Sequence, residues 1–167
     1  MITEASSVLF GNPHYEGDRR AQMRNDQEGG CVCGAVRYRV KAKPQAGLVC
    51  HCTWCQRRSG SAFAFIAYFN EADVEFLQGK LTAYEHRSDE TGRWLKTEFC
   101  PVCGTTVTHT TELRPGLRGI AAGTMADPDS FRVDRHIWTR SARPWVRIPE
   151  GVEVYEKGSA GAEPIRR

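Results

Sequence analysis

The chain has 167 residues, enough for one domain with short tails and one modest core. Hydrophobic residues make up 40% and charged residues 26%, the balance of a globular protein rather than a membrane-embedded or disordered one. A net charge of +3 is too small for a dedicated polyanion binder.

The first 20 residues, MITEASSVLFGNPHYEGDRR, carry an early Glu4 and no long apolar stretch, so no secretory signal is expected. The longest apolar run, residues 62–69, is far short of the roughly 20 residues that span a bilayer as a helix. No membrane partner is expected, and the expected compartment is the reducing cytoplasm. Clustered cysteines there read as metal ligands or reactive thiols rather than disulfides, and seven is an odd number. Residues 1–26 are polar and aperiodic and read as a flexible tail; residues 157–167 read the same way. The folded domain is expected over residues 27–156.

Between the tails the pattern is mainly β. Residues 35–40 (AVRYRV) alternate apolar and basic side chains, as a half-buried strand does. Residues 63–69 form an apolar, aromatic-rich run of strand length. Further strands are expected at residues 74–77, 81–84, 94–99, 105–110, 120–123 and 136–138. Gly79-Lys80 and residues 89–92 punctuate the series as turns. Short helical turns are expected after Cys52 and around residues 127–131. Many short strands with tight connections predict a sandwich-like or barrel-like β domain.

The seven cysteines fall into three groups. Cys31 and Cys33 form C-x-C. Cys50, Cys52 and Cys55 form C-x-C-x-x-C. Cys100 and Cys103 form C-x-x-C in FCPVCGT, a short knuckle that aims both sulfurs at one metal, with Gly104 suited to a left-handed turn. Spacing alone allows a zinc-ribbon pairing of Cys52 and Cys55 with Cys100 and Cys103. The preferred partition joins Cys31, Cys33, Cys100 and Cys103 in one closed site. The triplet then covers one side of a tetrahedron and leaves the opposite side open, as catalytic zinc sites do. A histidine, His51 or His109, is the alternative fourth ligand. His51 lies between two ligands and is expected to point away, and His109 reads as an ordinary strand side chain.

GGCVCGAVRY, CHCTWCQRRSGSAF and FCPVCGT, in that order and spacing, resemble the glutathione-dependent formaldehyde-activating enzyme family, which shares the centromere protein V domain. The resemblance runs over residues 27–154, and GTMADP and HIWTRSARPW are similar to its short bacterial members. It implies a β-tent-like fold of small antiparallel sheets stapled by two zinc ions. Cys31, Cys33, Cys100 and Cys103 would hold the structural ion, and Cys50, Cys52 and Cys55 the catalytic one. The activity it implies is that of a carbon–sulfur lyase acting on an adduct of glutathione, or a related small thiol, with an aldehyde such as formaldehyde.

A glutathione-sized anion needs cations, and Arg57 and Arg58 directly follow the triplet. Ser59 offers a hydroxyl there, with turn chemistry its competing role. His136, in HIWT, is the candidate proton donor. Trp54, Trp138 and Trp145 are candidate pocket walls, with core packing as the competing role. The alternative to an enzyme is a non-catalytic zinc module for protein or nucleic acid. No aromatic-interleaved basic stripe supports nucleic acid as a partner, and nothing in the sequence indicates an oligomeric state.

Overall fold

The computed structural model describes residues 26–165. The expected N-terminal tail therefore lies, apart from Asp26, outside the described residues. The described residues are mainly β, with 39% strand and 11% helix, as the patterning predicts. Its eleven described strands form two sheets.

The smaller sheet has three strands in the order β1 (Gln27–Gly30), β2 (Arg37–Val40) and β5 (Val74–Gln78). The expected alternation holds in β2. Tyr38 and Val40 are fully buried, while Arg37 and Arg39 face outward and pair with Glu28 of β1 at 2.9 and 2.8 Å. Each such exposed pair contributes only about 0.2–1 kcal/mol. The strand is held chiefly by its inward face.

The larger sheet comprises β3 (Ala46–Cys50), β4 (Ala64–Asn70), β6 (Thr82–Arg87), β7 (Trp94–Phe99), β8 (Thr106–Thr111), β9 (Leu117–Ala121), β10 (Arg135–Ile137) and β11 (Glu153–Val154). Their spatial order is β11-β10-β3-β4-β9-β8-β7-β6. All neighbours run antiparallel except β10, which is parallel to both β3 and β11.

Side-chain alternation across the centre of this sheet separates two chemically different faces. Ala67 and Phe69 of β4 and Ile120 of β9 turn toward the smaller sheet, where they pack with Val36, Tyr38 and Val40. Ile66 and Tyr68 of β4 turn the other way, joining Leu48 and Cys50 of β3 and Cys55 of the α-helix α1 (Thr53–Ser59). The first face builds the core. The second carries three sulfurs.

Three strands, β1, β3 and β11, were not expected from the sequence, and no helix forms around residues 127–131, which adopt turns and bends. The ninth strand begins at Leu117, three residues ahead of its expected start, and ends at Ala121. Among the described residues no helix is long and apolar enough to cross a membrane.

Candidate active site

Two cysteine groups assemble, along the preferred partition. Cys31 and Cys33 lie on the turn joining β1 to β2, and Cys100 and Cys103 on the turn joining β7 to β8. Each turn is closed by a glycine N–H, three residues after the first cysteine in one and four residues after it in the other. The Gly34 N–H donates to the Cys31 carbonyl at 3.0 Å and the Gly104 N–H to that of Cys100 at 2.9 Å. Gly34 (φ 76°) and Gly104 (φ 74°) take the left-handed conformation that lets each chain double back. The Cys31 and Cys33 sulfurs are 3.4 Å apart, and those of Cys33 and Cys100 3.8 Å. Tetrahedral zinc at about 2.3 Å from each sulfur requires a sulfur–sulfur separation of about 3.8 Å. This group fits a metal held by four protein ligands, which would tie the smaller sheet to the larger one.

The triplet is built by a strand running into a helix. Cys50 ends β3. Cys52 caps α1, its sulfur accepting the Cys55 backbone N–H at 3.3 Å. Cys55 is the third helical residue, so strand end, cap and first turn converge on one point. Hydrogen bonds from Cys50 and Cys55 pull the Cys52 thiol down to about 3, and the bond to Cys52 pushes Cys50 up. Three thiols this close cannot all ionise without a cation between them. Their chemistry therefore fits a soft metal ion such as zinc.

Neither histidine joins the triplet. The His51 ring turns away, its Nε2 lying 2.9 Å from His136 Nδ1. His109 instead bonds the Tyr68 hydroxyl.

The sulfurs open on a cavity of about 790 Å³. Arg57 and Arg58 line it, as do Arg93 and Arg114. None of these four has a carboxylate partner among the described residues. Arg140 and Lys157, at the same cavity, are paired with Glu90 at 2.5 and 3.4 Å. Arg58 lies over the Trp54 ring, 5.3 Å from its centroid, and its buried Nε has no partner among the described residues. Trp54 in turn stacks on His86 of β6 at 4.9 Å. Trp54 and Trp138 wall the cavity, whereas Trp145 is 71% exposed. Lys157, Gly158, Ser159 and Ala160, assigned from sequence to a C-terminal tail, line it as well.

Two sequence assignments do not meet the cavity. His136, expected to donate a proton, pairs with Val49 in the parallel ladder, while Ile137 pairs with Cys50. Ile137 lines the cavity and His136 does not, because neighbouring strand residues face opposite sides. Ser59 donates its hydroxyl to the Cys55 carbonyl at 2.8 Å, closing the end of the helix.

Sequence reasoning missed Tyr68 as a cavity residue and considered His109 only as an alternative metal ligand or an ordinary strand side chain. Both stand opposite Gly119 in the order β4-β9-β8. A Cβ on Gly119 would sit 2.3 Å from His109 Cε1, so the ring lies flat over the glycine. Gly119→Ala should therefore cost about 1–3 kcal/mol by overpacking, read as a melting temperature several degrees lower; an unchanged melt would refute the tight packing.

The profile of the family described as glutathione-dependent formaldehyde-activating enzyme matches residues 26–141, and the match takes in both cysteine groups. The chain belongs to that family. Membership in the formaldehyde-activating family ties the chain to glutathione- and formaldehyde-related function. A crystal structure of a Rhodobacter sphaeroides protein is similar over 58% of this chain and 85% of its own, at 26% identity and a TM-score of 0.45. No curated protein matches the chain.

Proposed function

We propose that the protein is a zinc-dependent carbon–sulfur lyase-type enzyme acting on the adduct of glutathione, or a related small thiol, with an aldehyde. The observation that carries this reading is the triplet of sulfurs, with no fourth protein ligand among the described residues, opening on a cation-lined cavity. Cys50, Cys52 and Cys55 would hold zinc, which supplies positive charge that favours the ionised form of an incoming thiol. Cys31, Cys33, Cys100 and Cys103 would hold the second, structural ion.

In the synthetic direction the substrate sulfur adds to the aldehyde carbon. The carbonyl electron pair moves to oxygen, which takes up a proton from solvent in place of the one the thiol gave up on ionising. In reverse the carbon–sulfur bond breaks and the aldehyde is released. The chain's contribution is to hold the two reactants together, which removes much of the entropic barrier to a bimolecular step.

Glutathione carries two carboxylates, and the unpaired Arg57, Arg58 and Arg114 suit them. Trp54 and Trp138 would cover the tripeptide and keep water off the reacting atoms. Arg58→Ala and Arg114→Ala should each raise KM for glutathione about tenfold, the loss of one charge-assisted contact, with kcat within about twofold. For cysteamine, which lacks carboxylates, KM should stay unchanged; an equal rise for both thiols would reject carboxylate recognition.

The function itself is tested by magnetisation-exchange NMR of zinc-loaded protein with glutathione and formaldehyde. Adduct formation and breakdown should run faster than without protein. Exchange at the uncatalysed rate would remove this activity.

A further inference from the structure

We propose that Tyr68 is the hydrogen-bond donor to the substrate oxygen, the carbonyl oxygen of the aldehyde and the hydroxyl oxygen of its thiol adduct, with His109 as the positioning residue that directs its O–H into the cavity. This rests on the thiol–aldehyde reading above and adds to it a site for the second reactant.

The placement comes first. Tyr68 packs in one cluster with Cys50 and Cys55, and it lines the cavity on which those sulfurs open. Its hydroxyl lies 2.9 Å from His109 Nε2, and the two rings meet edge to face at 83°. Arg114 lies over the tyrosine ring, 4.8 Å from its centroid. With His109 seated over Gly119 and Arg114 over its ring, the phenol is held at one position beside the sulfurs.

The direction of the hydrogen bond follows from the other ring nitrogen. His109 is fully buried, and burial holds it down at about 3, so the ring is a neutral imidazole with a single N–H. Its Nδ1 is buried and has no hydrogen-bond partner among the described residues. A proton on Nδ1 would leave a buried N–H without an acceptor, which proteins almost never tolerate; a bare lone pair there costs less. The proton therefore sits on Nε2, and Nε2–H donates to the Tyr68 oxygen. The phenol's own proton is then not taken up by His109, and no other acceptor meets it among the described residues. The remaining direction is the cavity. A hydroxyl that already accepts a hydrogen bond is polarised into a stronger donor.

The bond forming at sulfur leaves charge on the aldehyde oxygen, and a fixed donor beside that oxygen favours the transition state over the free aldehyde. Tyr68 makes this contribution by hydrogen bonding alone, without giving up its proton.

Two measurements test the assignment. Long-range proton–nitrogen correlation NMR should show His109 protonated on Nε2 and bare on Nδ1; the reverse tautomer would overturn the proposal. The second compares 2-mercaptoethanol with ethanethiol, titrated into cobalt-substituted protein and followed by thiolate–cobalt absorption. The hydroxyl of 2-mercaptoethanol stands near the adduct oxygen, so native protein should bind it roughly fivefold more tightly, the worth of about one hydrogen bond. Tyr68→Phe should bind the two thiols equally while keeping its affinity for ethanethiol within about twofold. A purely structural Tyr68–His109 pair would lower the melting temperature on substitution and leave the preference untouched. If both thiols bind native protein equally, the Tyr68 assignment fails and the thiol site stands. If neither binds, the thiol reading fails and takes this inference with it.

Discussion

Cys52→Ala should lower the zinc content from two ions per chain to about one and abolish the acceleration of adduct exchange, while the fold survives. Cys52 belongs to the triplet alone, so the four-sulfur group keeps every ligand. Its structural role is to cap a seven-residue helix through one hydrogen bond to the Cys55 N–H. Loss of a helix cap costs about 1 kcal/mol, small beside the roughly 5–15 kcal/mol that stabilises a domain. The chemical cost is far larger. Outer-shell changes already weaken metal binding by about 10–100-fold, and two remaining sulfurs make a poor zinc site. Metal analysis, circular dichroism and exchange NMR on one preparation separate the effects. Retention of both zinc ions, or of the activity with one, would dismantle the division into structural and catalytic ions.

Cys100→Ser should have the opposite signature, with the folded state itself lost. Cys100 is fully buried in the core between the sheets, and its group joins the β7–β8 turn to the β1–β2 turn. Those turns are far apart in sequence, so a metal held by these sulfurs would close a long loop and fasten one sheet to the other. Structural zinc contributes an apparent 10–16 kcal/mol or so in small zinc domains. That is as large as the net stability of a typical domain, so the loss of one ligand suffices to unfold it. Thermal melting should show no cooperative transition, and limited proteolysis should cleave the domain under conditions where Cys52→Ala resists. A cooperative melt close to that of the native chain would mean that packing alone holds the two sheets together.

The contrast between these variants rests on how each group is assembled. The triplet is local, coming from six consecutive residues that form a strand end, a cap and a helical turn. The four-sulfur group is non-local, and its knuckles meet only because the sheets pack.

Much of the fold was legible from pattern. Trp94–Phe99 matches its expected bounds because a β-rich stretch ends at the Cys100 knuckle. The β2 residues alternate because one face meets the core and the other water. By contrast β3, AGLVC, is buried at all five positions, so it carries no alternation to read. Its Gly47 has no room for a side chain, since a Cβ would lie 2.3 Å from the Arg132 carbonyl. β1, QEGG, has little β propensity and is a strand because β2 lies beside it. The expected helix at residues 127–131 rested on a weak local signal that the turns following Met125 override.

The sequence by itself determined the chemistry that is local in the chain: two short cysteine knuckles, a trio of thiols within six consecutive residues, and Arg57 and Arg58 directly after them. Such spacing restricts where sulfurs can point whatever the rest of the molecule does. Tertiary structure decided everything that depends on which side a strand shows. His136 turned from the cavity because its neighbour Ile137, rather than itself, falls in register with Cys50. Tyr68 and His109, 41 residues apart, met because a third strand with a glycine at the crossing runs between them. One residue of register reverses the face of every side chain in a strand, and register is set by partners distant in sequence.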